Sequence, residues 1–84
     1  MVRKNFAYVV EIKRAIRDLL SKLDVMSSKG ELNSDGIKAL VRILKLLNRS
    51  GMRSEAEKLE RKLRRGKDVE TIASLLLRLE EELS

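Results

Sequence analysis

The residue types that most often do chemistry are sparse in this chain. It has no cysteine and no histidine, so the commonest general base, the thiolate nucleophile and the thiolate zinc ligand are all missing. A serine nucleophile would have to be activated by a lysine or a carboxylate. The serines fall at expected loops and helix caps, except Ser21 and Ser74, whose spacing suggests ordinary helix surface or small-residue packing. Paired acid and base carboxylates need distinct environments a few ångströms apart. Glu80, Glu81 and Glu82 are consecutive, so on a helix they point in different directions. The expectation is a protein that is not an enzyme, with no catalytic, cofactor-binding or metal-binding residues and no cofactor.

Two loop motifs fail on spacing. GELNSDG contains the Gly-x-Leu step of a calcium-binding EF-hand loop, but with Gly30 at loop position 6, Val25 falls at position 1 and Gly36 at position 12. Those positions need an acidic ligand and a bidentate glutamate. Gly30, Gly36 and Lys38 do not make a phosphate-binding P-loop either: five residues separate the glycines, and Ile37 precedes the lysine. Asn48-Arg49-Ser50 is formally a glycosylation sequon and reads as a helix end.

Basic side chains supply the strongest functional pattern. Arg53, Lys58, Arg61, Lys62, Arg64, Arg65 and Lys67 cluster on and around one exposed helix, where they can meet phosphates or remain a solvated face. LERKLRRGKDVETIASLL has the outline of a helix-turn-helix with Gly66 in the turn. Its second helix, however, carries one basic residue, Arg78, and ends in three glutamates that repel a phosphate backbone. The only aromatics are Phe6 and Tyr8, so no stacking platform interleaves the basic patch. Phe6 is expected to seal one end of the core, with Tyr8 half exposed beside it. Lys4, Lys13 and Arg14 beside apolar positions permit contact with an acidic membrane surface, but the wide apolar stripe favours core packing, so no membrane partner is expected.

These side chains must be positioned by helices. Val9, Ile12, Ile16, Leu19, Leu23 and Met26 recur three and four apart, predicting one long helix over about residues 5–26. SSKGELNSDG reads as a loop of about eight residues, with Ser34 or Asp35 capping a second helix over about 35–48. That helix, apolar nearly all round, should be central. Ser54-Glu55-Ala56-Glu57 reads as a capping box opening a third helix, about 54–65. Its narrow stripe of Ala56, Leu59 and Leu63 puts it at the periphery, and Glu57/Arg61 and Glu60/Arg64 have the spacing of helical ion pairs. Gly66 stops it, and Asp68 caps the fourth, about 68–83. The pattern I-x-x-L-Φ-x-x-L at Ile16, Ile37 and Ile72 marks three faces of one core. The fold class is therefore all-α: a compact four-helix domain spanning residues 1–84, either up-down-up-down or an irregular bundle, with one long N-terminal helix and three shorter ones.

Residues 1–67 hold eighteen Lys/Arg against eight Asp/Glu, and residues 68–84 hold one against five. If the chain ends are neighbours, Arg3 and Lys4 at the start of the first helix compensate Glu80 to Glu82 at the end of the last, and an up-down-up-down bundle follows. No apolar run approaches the roughly 18 residues of a membrane span. A soluble, cytoplasmic protein is expected, monomeric or, through the long stripe of the first helix, dimeric.

Proline, glutamine and tryptophan are absent as well. With charge-dense segments such as SEAEKLERKLRRGKDVETI and single-glycine stops at Gly51 and Gly66, the chain resembles computationally designed helical bundles. The resemblance implies a scaffold-type protein with no function beyond folding and no required partner. The long SSKGELNS loop and the uneven helices depart from that style and fit a natural thermophilic or viral domain. The alternative is a small basic binding module contacting nucleic acid or an acidic protein partner.

Overall fold

In the computed structural model, residues 2–66 and 68–83 are described, with side chains from residue 7 onward. The order is α1 (Val2–Ser21), α2 (Leu23–Met26), β1 (Ser27–Ser28), β2 (Glu31–Leu32), α3 (Ser34–Arg49), α4 (Arg53–Arg65) and α5 (Val69–Leu83). The four long helices form a ring of neighbours: α1 packs on α3 and α5, and α4 packs on the same two. Ile12, Ile16 and Leu19 of α1 meet Leu40, Ile43 and Leu47 of α3 and Ile72 and Leu76 of α5, all essentially inaccessible. Burying a side chain of this size stabilises by about 1.5–3 kcal/mol. The bundle is held mainly by this one cluster.

The expected hierarchy of helices holds. α3 is central, touching α1, α2, β2 and α4, whereas α4 buries only Ala56 and Leu59. The repeated apolar pattern needs one correction. In α3 the buried line runs through Gly36, Leu40, Ile43 and Leu47, and Val41 is only half-buried.

The first helix is interrupted where one continuous element was expected. Lys22 sits at φ −116°, ψ 22°, between α1 and α2. Ser21 Oγ donates to the Asp18 carbonyl at 2.9 Å, the acceptor that the Lys22 N–H would use in a continuing helix. Lys22 N turns instead to Leu19 O at 3.1 Å, and the ladder shortens by one residue.

The expected loop contains a two-stranded antiparallel hairpin, pairing Ser27 with Leu32 and Ser28 with Glu31. Lys29 (φ 56°) and Gly30 (φ 80°) form its tip, the two consecutive positive φ values that a tight type I′ turn requires. The tip is clasped to the start of α5, where Val69 N donates to Gly30 O at 2.9 Å.

Helix ends differ from the expected caps at two places. The cap of α3 is Asn33, not Ser34 or Asp35: Asn33 Oδ1 accepts from Gly36 N at 2.9 Å. α4 begins at Arg53 with no side-chain cap bond, so Ser54 lies inside the helix and the capping box does not form. α3 ends as expected at Gly51 (φ 87°). There Met52 N reaches Leu47 O at 2.9 Å and Gly51 N reaches Asn48 O at 3.2 Å, the paired bonds of a Schellman stop. Asp68 caps α5 through Thr71 N at 3.0 Å.

Candidate nucleic-acid interface

The cations expected at the surface are there. Arg53, Lys58, Arg61, Lys62, Arg64 and Arg65 of α4 are all exposed, and Lys67 lies outside the described residues. Local electrostatics accounts for many of them. Glu60 and Arg64 close to 3.4 Å, exposed Glu57 shares the face, and Lys62, Arg64 and Arg65 occupy the last turn, where they oppose the negative end of the macrodipole. The matching pair Glu57/Arg61 does not close. α5, the recognition helix of the helix-turn-helix outline, exposes Glu70, Glu81 and Glu82 against the single cation Arg78.

A second basic feature lies on α3, which the expectation of a helix apolar nearly all round does not include. Lys38, Arg42, Lys45 and Arg49 are exposed and spaced four, three and four residues apart, which aligns them on one side of the helix. Eleven residues at the helical rise make a row about 16 Å long. Among the described residues the ion pairs are Arg17–Glu80, Lys22–Asp18 and Arg64–Glu60, none of which involves α3. The only carboxylate of α3 is Asp35, in the first turn. The sequence signal was the 4-3-4 spacing itself, opposite the buried line of Leu40, Ile43 and Leu47.

Beside the row runs an open groove between α1 and α3, lined by Arg14, Ala15 and Asp18 of α1 and by Ala39, Arg42 and Leu46 of α3. Glu11 and Asp18 offset two of the three guanidiniums, Arg14, Arg17 and Arg42, that line it. Asp18 is held by Lys22 at 3.3 Å, and Arg17 at the groove edge is held by Glu80 at 2.5 Å. The hydrogen bond from Arg17 to Glu80, and then the charge of Glu80, hold that guanidinium above its ordinary pKa. The expected meeting of Arg3 and Lys4 with Glu80 to Glu82 falls on side chains outside the described residues. Glu80 joins the second half of α1, and the side chain of Phe6 also lies outside the described residues. Tyr8 is half-buried and packs against the core, as expected.

Of the two serines set apart by their spacing, Ser74 is exposed on α5 and Ser21 is engaged locally. Ser21 donates to Asp18 O, and Ser50, the one buried polar residue described, donates to Leu47 O at 2.8 Å. Asn33, ninth in the EF-hand alignment, serves as a helix cap, and the described residues include no cluster of three or more metal-ligating side chains. No described helix is long and apolar enough to cross a membrane. Neither a family model, nor a curated protein, nor a solved structure matches the chain. What marks the site is its own charge geometry, a row of exposed cations along one side of α3.

Proposed function

We propose that the chain is a small helical module that binds nucleic acid through phosphate contacts, with Lys38, Arg42, Lys45 and Arg49 as the primary contact. The observation that carries this reading is the row on α3: four exposed cations without carboxylate partners, on the helix whose opposite side is most deeply packed. A rigid helix presents its charges on a backbone that is already ordered, so only side-chain entropy opposes the contact. The cations of α4 add to the field around the row and assist encounter.

Magnitudes make the reading testable. Four neutralised phosphates give a slope of about −3.6 in log affinity against log salt, so raising salt from 50 to 200 mM weakens binding roughly 150-fold. Fluorescence anisotropy with a labelled mixed-sequence probe at those two concentrations tests it. Salt-sensitive binding supports the module, and no binding at 50 mM refutes it.

A second reading, a scaffold-type protein whose property is its fold, has its own support. No buried side-chain polar atom among the described residues lacks a hydrogen-bond partner, and α3 and α5 both carry side-chain caps. The likeness to designed bundles belongs with this reading, which expects no binding in the same titration. Both readings take the chain as a soluble cytoplasmic monomer.

A further inference from the structure

Resting on the nucleic-acid reading, we infer that the α3 row holds double-stranded nucleic acid from outside its grooves, by backbone contacts alone, without reading sequence and in preference to single strands.

The exposed face of α3 is too narrow for base readout. A helix that reads a major groove exposes a central row to base edges and flanking rows to the phosphates on either rim. Through the middle of α3, from Ile37 to Leu47, only Lys38, Arg42 and Lys45 are exposed. Ala39, Val41 and Leu44 beside them are half-buried, and the rest is buried or half-buried too. One row is available, and it consists entirely of cations. A helix with side chains is about 10–12 Å across and the major groove about 12 Å wide, so α3, with α1 and α4 packed along it, does not enter as a free rod. Its row, about 16 Å long, is long enough to lie across the groove and touch both rims.

Charge density favours duplex, and no stacking surface lies beside the row among the described residues. Sequence-tolerant single-strand binders gain about 1–3 kcal/mol per base from aromatic stacking. No aromatic residue lies on α3 or α4, and Tyr8 is packed on the core. What remains is counterion release, which is stronger per contact on duplex, with a slope of about −0.9 per phosphate against −0.7 for single strands.

The experiment titrates the whole chain by anisotropy against two unrelated 20-base-pair DNA duplexes, one A·T-rich and one G·C-rich, and against their separated strands, between 50 and 200 mM salt. The two duplexes should bind within about threefold of each other and each single strand several-fold more weakly, with a duplex slope of about −3.6 that becomes about −2.7 in Lys45→Gln. Single strands binding as tightly as duplex, a more than tenfold preference for one duplex, or an unchanged slope in both Lys45→Gln and Arg42→Gln would each overturn the inference while leaving nucleic-acid binding intact. No binding of any probe at 50 mM would remove both.

Discussion

Asn33 and Gly36 are joined by the bond that starts the central helix, with Asn33 Oδ1 accepting the Gly36 N–H at 2.9 Å. The other half of the same amide, Asn33 Nδ2, donates to the Val25 carbonyl at 2.8 Å, and its backbone N–H donates to Met26 O at 2.9 Å. One residue therefore closes α2 and opens α3. Asn33→Ala should lower stability by about 1–2 kcal/mol, the upper part of the range for a lost cap because a second hydrogen bond goes with it. Asn33→Asp keeps the acceptor and loses the donor to Val25, so it should fall between wild type and alanine. Urea unfolding of the three proteins measures this; an alanine variant as stable as wild type would remove Asn33 from its place in the fold.

Gly36 is small for a reason of space rather than backbone angle. A Cβ there would collide with the Met26 carbonyl oxygen and stand 2.9 Å from Leu32 Cδ2. Gly36→Ala should therefore destabilise by about 1–3 kcal/mol, despite alanine's better helix propensity. Gly66→Ala is the control: nothing lies within 4 Å of its Cβ position and its φ of 174° is extended backbone. That change should be neutral or stabilise by up to about 1 kcal/mol. Thermal melts of the pair should move in opposite directions or leave Gly66→Ala in place.

The hairpin tip offers a gain. Lys29 holds φ 56°, a region where a lysine carries strain and asparagine is at home. Lys29→Asn should raise stability by about 0.5–1 kcal/mol, or a few degrees in Tm for a domain of this size. A lowered Tm would show that the tip does not depend on this turn geometry.

These sites also mark where the sequence was legible. Helix number and type came through because Ile12, Ile16 and Leu19, or Ile72, Leu76 and Leu79, keep helical spacing over several turns and are buried as that spacing requires. The hairpin did not, because strands of two residues show no alternation and Lys-Gly is a weak turn signal beside Asn-Gly. Its clasp from Gly30 to Val69 is a long-range contact with no local trace. The break at Lys22, where the Ser21 hydroxyl bonds back to the Asp18 carbonyl, leaves no mark in the apolar spacing. The caps were displaced by one or two residues, within the ordinary uncertainty of helix ends. For the interface, the sequence pointed to the dense cluster on α4, where cations are partly answered by Glu60 and the helix end. Separating answered from unanswered charge took the burial of α3, which shows that Lys38, Arg42, Lys45 and Arg49 share its open side.

The central claim is that position, not net charge, makes the α3 row the contact. It is tested by comparing Lys38→Gln/Arg42→Gln/Lys45→Gln/Arg49→Gln with Lys58→Gln/Arg61→Gln/Lys62→Gln/Arg65→Gln, which removes the same charge from α4. All eight residues are exposed, and far-ultraviolet circular dichroism should show both variants folded. In anisotropy titrations against duplex DNA at 50 mM salt, the α3 variant should lose at least about a hundredfold in affinity and most of its salt slope, while the α4 variant should lose about tenfold or less and keep the slope. Equal losses in the two variants, or a larger loss from α4, would contradict the account.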